Sequence, residues 1–205
     1  MRRVAEPGPD QHDLRVTETS DWRTRRWEAT HRRIFTTALA LFEDFGYEQV
    51  SVNQIAKRAD VSVPTFYAHY PSKEHLIMAL PSAEQIDAIL AAQPAELPIG
   101  ERLRRGLPAF IAQQPPDVRE DIRARWRIIA ATPSLRTRAA EFERTTAGMF
   151  LESLAASSGE APSPAEVVQT GAVLMAYTTG LLGWADSDGD LEVTDALEEA
   201  FRALQ

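Results

Sequence analysis

A run of hydroxyl, amide and aromatic side chains between residues 51 and 75 has the residue types and spacing needed to bind DNA. Ser51 and Gln54 have the spacing of a capping box, which predicts the start of a short helix. Ser62 is suited to begin a second helix, since Pro64 in its first turn costs little. Two short helices joined by a tight turn form the helix-turn-helix layout, whose second helix enters the major groove. We therefore expect this segment to bind double-stranded DNA.

The side chains expected to face the DNA fall into two chemical groups. Hydroxyl groups and free backbone N–H groups at the helix starts suit phosphates, and a lysine at the start of the next helix would add a point charge. Groups on the second helix suit phosphates, base edges or thymine methyl groups. The predicted DNA-binding residues are Ser51, Asn53, Ser62, Val63, Pro64, Thr65, Tyr67, His69 and Lys73.

Some of these residues have a plain structural alternative. His69 could cap or pack instead of touching DNA, and Asn53 could be a solvated helix residue. Val63 cannot hydrogen-bond a base, so sequence specificity would depend on its neighbours. Phe66 and Tyr70 are four residues apart on the same helix face, and we assign both to the core.

A family resemblance is carried by the same segment, over about residues 25–80. The matching residues are Phe45-Gly46-Tyr47, residues 51–59, the run from Val61 to Tyr70, and Ser72-Lys73-Glu74. In this order they resemble the amino-terminal domain of TetR-family transcriptional regulators. The turn position that is usually glycine in the family is Asp60 here, and aspartate tolerates a left-handed backbone better than most residues. The resemblance implies a helix-turn-helix head on a helical body.

Three parts are expected along the chain: a polar, mobile arm at 1–21, a DNA-binding head at 22–80 and a helical body at 81–205, with a connector near 81–98. The head should open with a helix over about residues 25–45. No strand periodicity appears, so the predicted fold class is all-α. Helices of the body are predicted at 99–114, 117–131, 134–157 and 164–185, with a last one after Thr194.

The net charge of −8 is distributed unevenly. Residues 22–80 hold eight Lys or Arg against six acids, whereas residues 81–205 hold eleven Arg against nineteen acids. A mildly basic head on an acidic body can still bind DNA, because phosphate contacts act within a Debye length of about 8 Å. We expect DNA binding that weakens strongly with salt.

Other classes of function find little support in the composition. The chain has no cysteine, which suits a reducing cytoplasm, and neither a signal-peptide core nor a run of ~18 apolar residues that could span a membrane. The four histidines have no metal-ligand or catalytic-triad spacing. The acidic run at 186–192 lacks the spacing of a calcium loop. We therefore expect no metal, no cofactor and no enzyme activity.

The predicted helix at 164–185 is apolar on all sides, so it must be buried on more than one side. A second copy of the chain is the natural partner, and the family resemblance implies a dimer formed by the last two long helices. The alternative is a central helix of a monomeric core. A dimer would also hold two recognition helices ~34–36 Å apart, as successive major grooves require. The predicted interface residues are Val168, Leu174, Leu181, Leu182, Leu197 and Phe201.

The resemblance further implies a small-molecule pocket in the body. Candidate wall residues are Phe110, Trp126, Arg127, Met149, Phe150 and Tyr177, although apolar residues at helical spacing can equally be ordinary core. The combined prediction is a homodimeric repressor that binds a roughly palindromic operator and is released by a small effector. The main alternative is a DNA-binding protein of the same fold that recruits a protein partner or organises DNA and senses no ligand. A helical enzyme or chaperone of this fold would show no salt-sensitive DNA binding.

Overall fold

The computed structural model describes residues 11–187 and 190–204, with side chains from residue 22 onward. All regular structure in this part of the chain is helical, which confirms the predicted fold class. A short 3-10 helix (Tyr47–Gln49) follows the first helix. The α-helices are α1 (Gln11–Phe45), α2 (Val52–Arg58), α3 (Val63–His69), α4 (Lys73–Ile77), α5 (Ala83–Ala91), α6 (Ile99–Ala112), α7 (Pro116–Ala131), α8 (Pro133–Ser158), α9 (Pro164–Asp186) and α10 (Val193–Arg202).

Two features differ from the sequence prediction. α1 begins at Gln11, so residues 11–21 of the predicted arm are helical, while residues 1–10 lie outside the described part. α5 was not predicted as a separate helix. Its start nevertheless has a capping box, in which the Ser82 hydroxyl accepts from the Gln85 N–H at 3.2 Å and the Gln85 amide oxygen accepts from the Ser82 N–H at 2.9 Å.

The first hydrophobic cluster is the core of the helix-turn-helix region, and it also includes part of the body. Ile34 and Phe42 of α1 pack with Ile55 of α2 and Phe66 of α3. Body residues of α7 and the start of α8 belong to the same cluster, namely Ala124, Ile128, Ile129, Leu135 and Ala139. The core of the head therefore crosses the domain boundary that we predicted at residue 81.

The second hydrophobic cluster joins α5, α6, α9, α10 and the end of α8. Its fully buried members include Leu103, Phe150 and Leu197. Trp126 of α7 packs against both clusters, so it lies at the seam between them.

Ion pairs reinforce the connection of the first part of the chain to α7 and α8. Arg32 of α1 pairs with Asp121 of α7, and Arg138 of α8 donates to Glu74 of α4 at 2.9 Å. Exposed pairs of this kind are worth at most about 1 kcal/mol each. They fix the relative position of the helices more than they stabilise the fold.

No helix among the described residues combines the length and apolar character needed to cross a bilayer. The same residues contain no group of three or more His, Asp or Glu side chains placed to hold a metal ion. Residues 188–189 of the acidic run lie outside the described part.

Candidate nucleic-acid interface and body cavity

Reciprocal hydrogen bonds fix the start of α2. The Gln54 N–H donates to the Ser51 hydroxyl at 3.3 Å, and the Ser51 N–H donates to the Gln54 amide oxygen at 2.8 Å. This capping box is the one that the Ser-x-x-Gln spacing predicted. Because it uses the amide oxygen of Gln54, the exposed Asn53 next to it is the amide side chain left available for a ligand.

The turn between α2 and α3 is a Schellman motif. The Val61 N–H donates to the Ala56 carbonyl at 3.0 Å, and the Asp60 N–H donates to the Lys57 carbonyl at 3.3 Å. Asp60 has a φ of 53°, the left-handed conformation that glycine would adopt more easily. The expectation that aspartate supports this turn is therefore confirmed, and the turn sets the angle at which α3 leaves α2.

Ser62 caps α3. Its hydroxyl accepts from the Thr65 N–H at 3.1 Å and lies 2.7 Å from the Thr65 hydroxyl. Pro64 occupies the first turn of the helix, where its missing N–H removes no helical hydrogen bond. The Thr65 hydroxyl is thus engaged within its own helix, which leaves its methyl group as the part that suits thymine.

One face of α3 is buried and another is open. Phe66 is fully buried and Tyr70 is 6% exposed, which confirms that both belong to the core. Tyr67 is 52% exposed, and Pro64 and Ser62 are also exposed. Tyr67 and Pro64 give this face an exposed phenol and an exposed ring surface, while the hydroxyl of the exposed Ser62 is used in the cap.

Val63 and His69 are less accessible than the other predicted DNA contacts. Val63 is partly buried and packs against the first hydrophobic cluster. The His69 ring centroid lies 4.8 Å from that of Trp27 and 5.7 Å from that of His31, both on α1. Its Nδ1 is enclosed without a hydrogen-bond partner, and burial lowers the pKa of its imidazole. These contacts match the packing alternative for His69, and the stack on α1 was not foreseen from sequence.

Lys73 makes contacts that differ from the predicted phosphate contact. Its ammonium donates to the carbonyl oxygens of Tyr47 at 2.7 Å and Val50 at 3.0 Å, and lies 4.0 Å from the centroid of the Tyr47 ring. Partial burial lowers the pKa of this amine. Lys73 therefore ties the start of α4 to the loop before α2, and at most one of its three N–H donors remains for a phosphate.

The predicted dimer residues do not share one surface. Leu174, Leu181, Leu197 and Phe201 are at most 3% exposed within a single chain, so they have no area left for a second copy. Leu182 is partly buried against the first hydrophobic cluster. Val168 is 70% exposed, and the same side of α9 carries Met175, which is 57% exposed. The apolar residues around α9 correctly indicated that the helix is largely buried. They could not show which of its residues pack within the chain and which face outward.

A cavity of about 400 Å³ lies between α4, α5, α6, α7, α8 and α9. Four of the predicted wall residues line it: Phe110, Trp126, Phe150 and Tyr177. Arg127 and Met149 do not. Arg127 reaches the carboxylates of Glu120 at 3.3 Å and Glu43 at 3.7 Å, while Met149 packs into the second cluster.

Two charged residues of the cavity wall were missed from sequence. Arg125 lines the cavity from α7, and Glu143 lines it from α8. Burial raises the pKa of the Glu143 carboxyl group, and a hydrogen bond with Thr178 offsets part of that rise. Arg125 and Glu143 are next in sequence to Trp126 and Phe142, two aromatic residues of the cavity wall. That neighbourhood is a weak sequence signal, because Arg127 is also next to Trp126 and does not line the cavity.

Relatives of known function are similar to parts of this chain. It is 39% identical over 75 residues to the HTH-type transcriptional repressor KstR of Rhodococcus jostii, which covers 36% of this chain and 35% of the relative. It is 31% identical over 114 residues to the HTH-type transcriptional regulator EthR of Mycobacterium tuberculosis, covering 53% of this chain and 44% of the relative. The chain thus spans less than half the length of these relatives.

Solved structures match a larger share of the chain. NalD, the secondary repressor of the MexAB-OprM multidrug efflux pump in Pseudomonas aeruginosa, superposes with a TM-score of 0.53 at 23% identity, over 86% of this chain and 94% of that one. A TetR-family regulator from Syntrophomonas wolfei gives a TM-score of 0.55 at 18% identity, over 86% and 93%. At this level of identity the match concerns the fold.

Family models match both halves of the chain. Residues 34–80 match the model of bacterial regulatory proteins of the tetR family, and residues 97–205 match the model of the MftR C-terminal domain. The first range contains the capped helices α2 and α3, and the second covers more than half of the chain. The chain therefore belongs to the TetR family of bacterial regulatory proteins, which are DNA-binding transcriptional regulators and not enzymes.

Proposed function

We propose that this protein is a homodimeric, cytoplasmic transcriptional repressor that binds a palindromic operator and is released from it by a small molecule. The observation that carries the proposal is the exposed face of α3, a fully capped helix with Tyr67, Pro64 and Ser62 open to solvent. A rigid helix with exposed polar groups is what readout in the major groove requires. The similarity to KstR, a transcriptional repressor, supports repression over activation.

The predicted contacts divide into those that would position the head and those that would read the bases. Ser51 and Ser62 cap the helix starts, and the first backbone N–H groups of α2 and α3 beside them would bind phosphates. Asn53, Pro64, Thr65 and Tyr67 would reach bases or the backbone beside them. Val63, His69 and Lys73 would act indirectly, since they pack or bond within the head.

Dimerisation would use the outward stripe of α9. Val168 and Met175 are exposed apolar side chains on this stripe, and a Cβ built at Gly171 or Gly183 meets no atom within 4 Å. Small residues beside exposed apolar ones allow a second helix to approach closely. Two-fold pairing along α9 would present two heads to one palindromic site.

Release by an effector is supported by the cavity. Its walls come from α4 of the head region as well as from the body helices, including Ile77, Met78 and Phe110. A volume of about 400 Å³ with mainly apolar walls is within the range of small-molecule sites. A ligand there would contact both the head and the body. It can therefore favour one arrangement of the head relative to the body over another.

The test is fluorescence anisotropy on a genome-wide fragment library followed by a salt series on the selected DNA. We expect selective binding that falls steeply with salt. Tyr67→Ala should weaken it about tenfold or more while leaving the melting temperature unchanged. Leu191→Ala, an exposed apolar residue outside the head, is the matched control and should bind as the unaltered protein does.

Two outcomes would contradict the proposal. Absence of selective binding on the whole library would exclude sequence-specific regulation by this chain. Selective binding that no small molecule from a broad screen releases would favour the alternative in which the body recruits a protein or organises DNA.

A further inference from the structure

Arg125 lies between the body cavity and helix α1. It lines the body cavity, and its guanidinium carbon lies 4.7 Å from the centroid of the Phe35 ring on α1. Asp121, one turn earlier on α7, pairs with Arg32 of α1, so the two residues share the face of α7 that meets the head. Through this face the cavity touches the long helix of the DNA-binding part.

The charge of Arg125 is not neutralised within the chain. Among the described residues, no carboxylate lies within ion-pair distance of its guanidinium, and its Nε is enclosed without a hydrogen-bond partner. Two nearby acids have other partners. Asp121 forms an ion pair with Arg32, and Glu143 of the cavity wall interacts with Thr178 and Arg144. Burial lowers the pKa of Arg125, as does the nearby charge of Arg32, while Tyr70 opposes the shift.

A guanidinium whose Nε is enclosed without a partner and whose charge has no carboxylate beside it is costly, and a bound anion would remove part of that cost. The planar fork of arginine matches a carboxylate through two parallel hydrogen bonds. The rest of the wall is mainly apolar, with Phe110, Trp126, Phe150 and Leu181 among its members. A ligand that satisfies both regions has an apolar body and one acidic group.

We propose that the cavity binds an apolar monocarboxylate and that Arg125 binds its carboxylate group. This inference rests on the proposed function, because it names the class of effector for that cavity. Arg125 would also transmit the signal. A carboxylate that draws the guanidinium into the cavity weakens its contact with the Phe35 ring, and so changes how α7 holds α1.

The experiment compares decanoate with decan-1-ol, a neutral ligand with the same chain length, by isothermal titration calorimetry on the full-length protein. We expect decanoate to bind at least tenfold more tightly than the alcohol. Arg125→Gln should remove that preference, Arg125→Lys should keep part of it, and Arg127→Gln should keep all of it, since Arg127 lies outside the cavity. Circular dichroism of each variant checks that it folds.

Equal affinity for decanoate and decan-1-ol, or an unchanged preference in Arg125→Gln, would overturn the inference, as would failure of any carboxylate with eight to sixteen carbons to bind. Binding of decyl phosphate without decanoate would overturn the carboxylate assignment. DNA binding without ligand is measured on the same preparations. If the unaltered protein binds no DNA but prefers decanoate, the proposed function is overturned; if it binds DNA but shows no preference for decanoate, this inference is overturned.

Discussion

Gly180 of α9 lies against Leu197 of α10 so closely that a Cβ at the glycine would be 2.9 Å from Leu197 Cδ2. The Ala196 carbonyl oxygen would be 3.0 Å from the same Cβ. Backbone cannot move aside as a flexible side-chain end can. α9 and α10 are therefore in contact at a distance that only glycine permits.

Gly180→Ala should destabilise the protein by about 1–3 kcal/mol through overpacking. Gly148→Ala in α8 is the matched control, because a Cβ there meets no atom within 4 Å and Gly148 lies outside the α9 stripe proposed for the dimer. That control should change the free energy of unfolding of the monomer by no more than about 1 kcal/mol, in the stabilising direction. Urea denaturation of both variants gives the comparison, and equal stability of the two would refute the close contact.

Asp60→Gly should stabilise the helix-turn-helix by up to about 1 kcal/mol. The left-handed φ of 53° is strained for a residue with a Cβ, and glycine removes that strain. Asp60→Ala keeps a Cβ and loses the polar side chain, so it should be less stable than the original protein. Melting temperatures measured by circular dichroism should decrease in the order Gly, Asp, Ala at position 60. Any other order would contradict the turn geometry.

Val168→Asp should convert the proposed dimer into a monomer. A charge at the centre of an apolar contact must be desolvated without a partner, whereas in the monomer this side chain is 70% exposed and the substitution costs little. Sedimentation velocity should therefore show half the mass with an unchanged circular dichroism spectrum. Leu191→Asp places the same charge on an exposed leucine outside the α9 stripe and should remain dimeric. If both variants stayed dimeric, the interface would lie elsewhere.

Acid should destabilise the head through His31 and His69. Burial lowers the pKa of both imidazoles below the ordinary value of 6.5, and for His31 the charges of His69 and Arg125 lower it further. The unfolded chain then binds more protons than the folded one as the pH falls below about 6.5, so the free energy of unfolding decreases there.

The measurement is thermal unfolding at pH 7.5 and at pH 5.5, for the original protein and for His31→Phe/His69→Phe. Phenylalanine keeps the stack with Trp27 and Tyr70 but cannot take a proton. The double variant should lose less stability at pH 5.5 than the original protein does. An identical loss in both would assign the acid sensitivity to other groups.

Local signals in the sequence were sufficient for most of the fold. Caps and prolines at helix starts are decided by neighbours three residues apart, so Ser51 and Ser62 predicted the starts of α2 and α3. The inward face of α3 followed from the spacing of Phe66 and Tyr70. Asp60 could be assigned to the turn because backbone conformation there depends mainly on residue type.

Contacts between distant segments could not be predicted in the same way. Lys73 meets carbonyl groups more than twenty residues earlier, and His69 stacks on α1 almost forty residues away. Arg125 and Arg127 are two residues apart on α7, yet one lines the cavity and the other reaches the surface. Which side chain turns inward is decided by the packing of α7 against α1 and α9, and this information is absent from any single stretch of sequence.

The first hydrophobic cluster takes residues from α1 to α4 and from α7 and α8 alike. A fragment ending near residue 80 would lose the Ile128, Ile129 and Leu135 side chains that close this core, and would expose Ile77 and Met78 to water. The head is consequently not a portable module. Exchanging the head for that of a related regulator would therefore require α7 and the first turns of α8 to be exchanged with it, because their side chains complete its core.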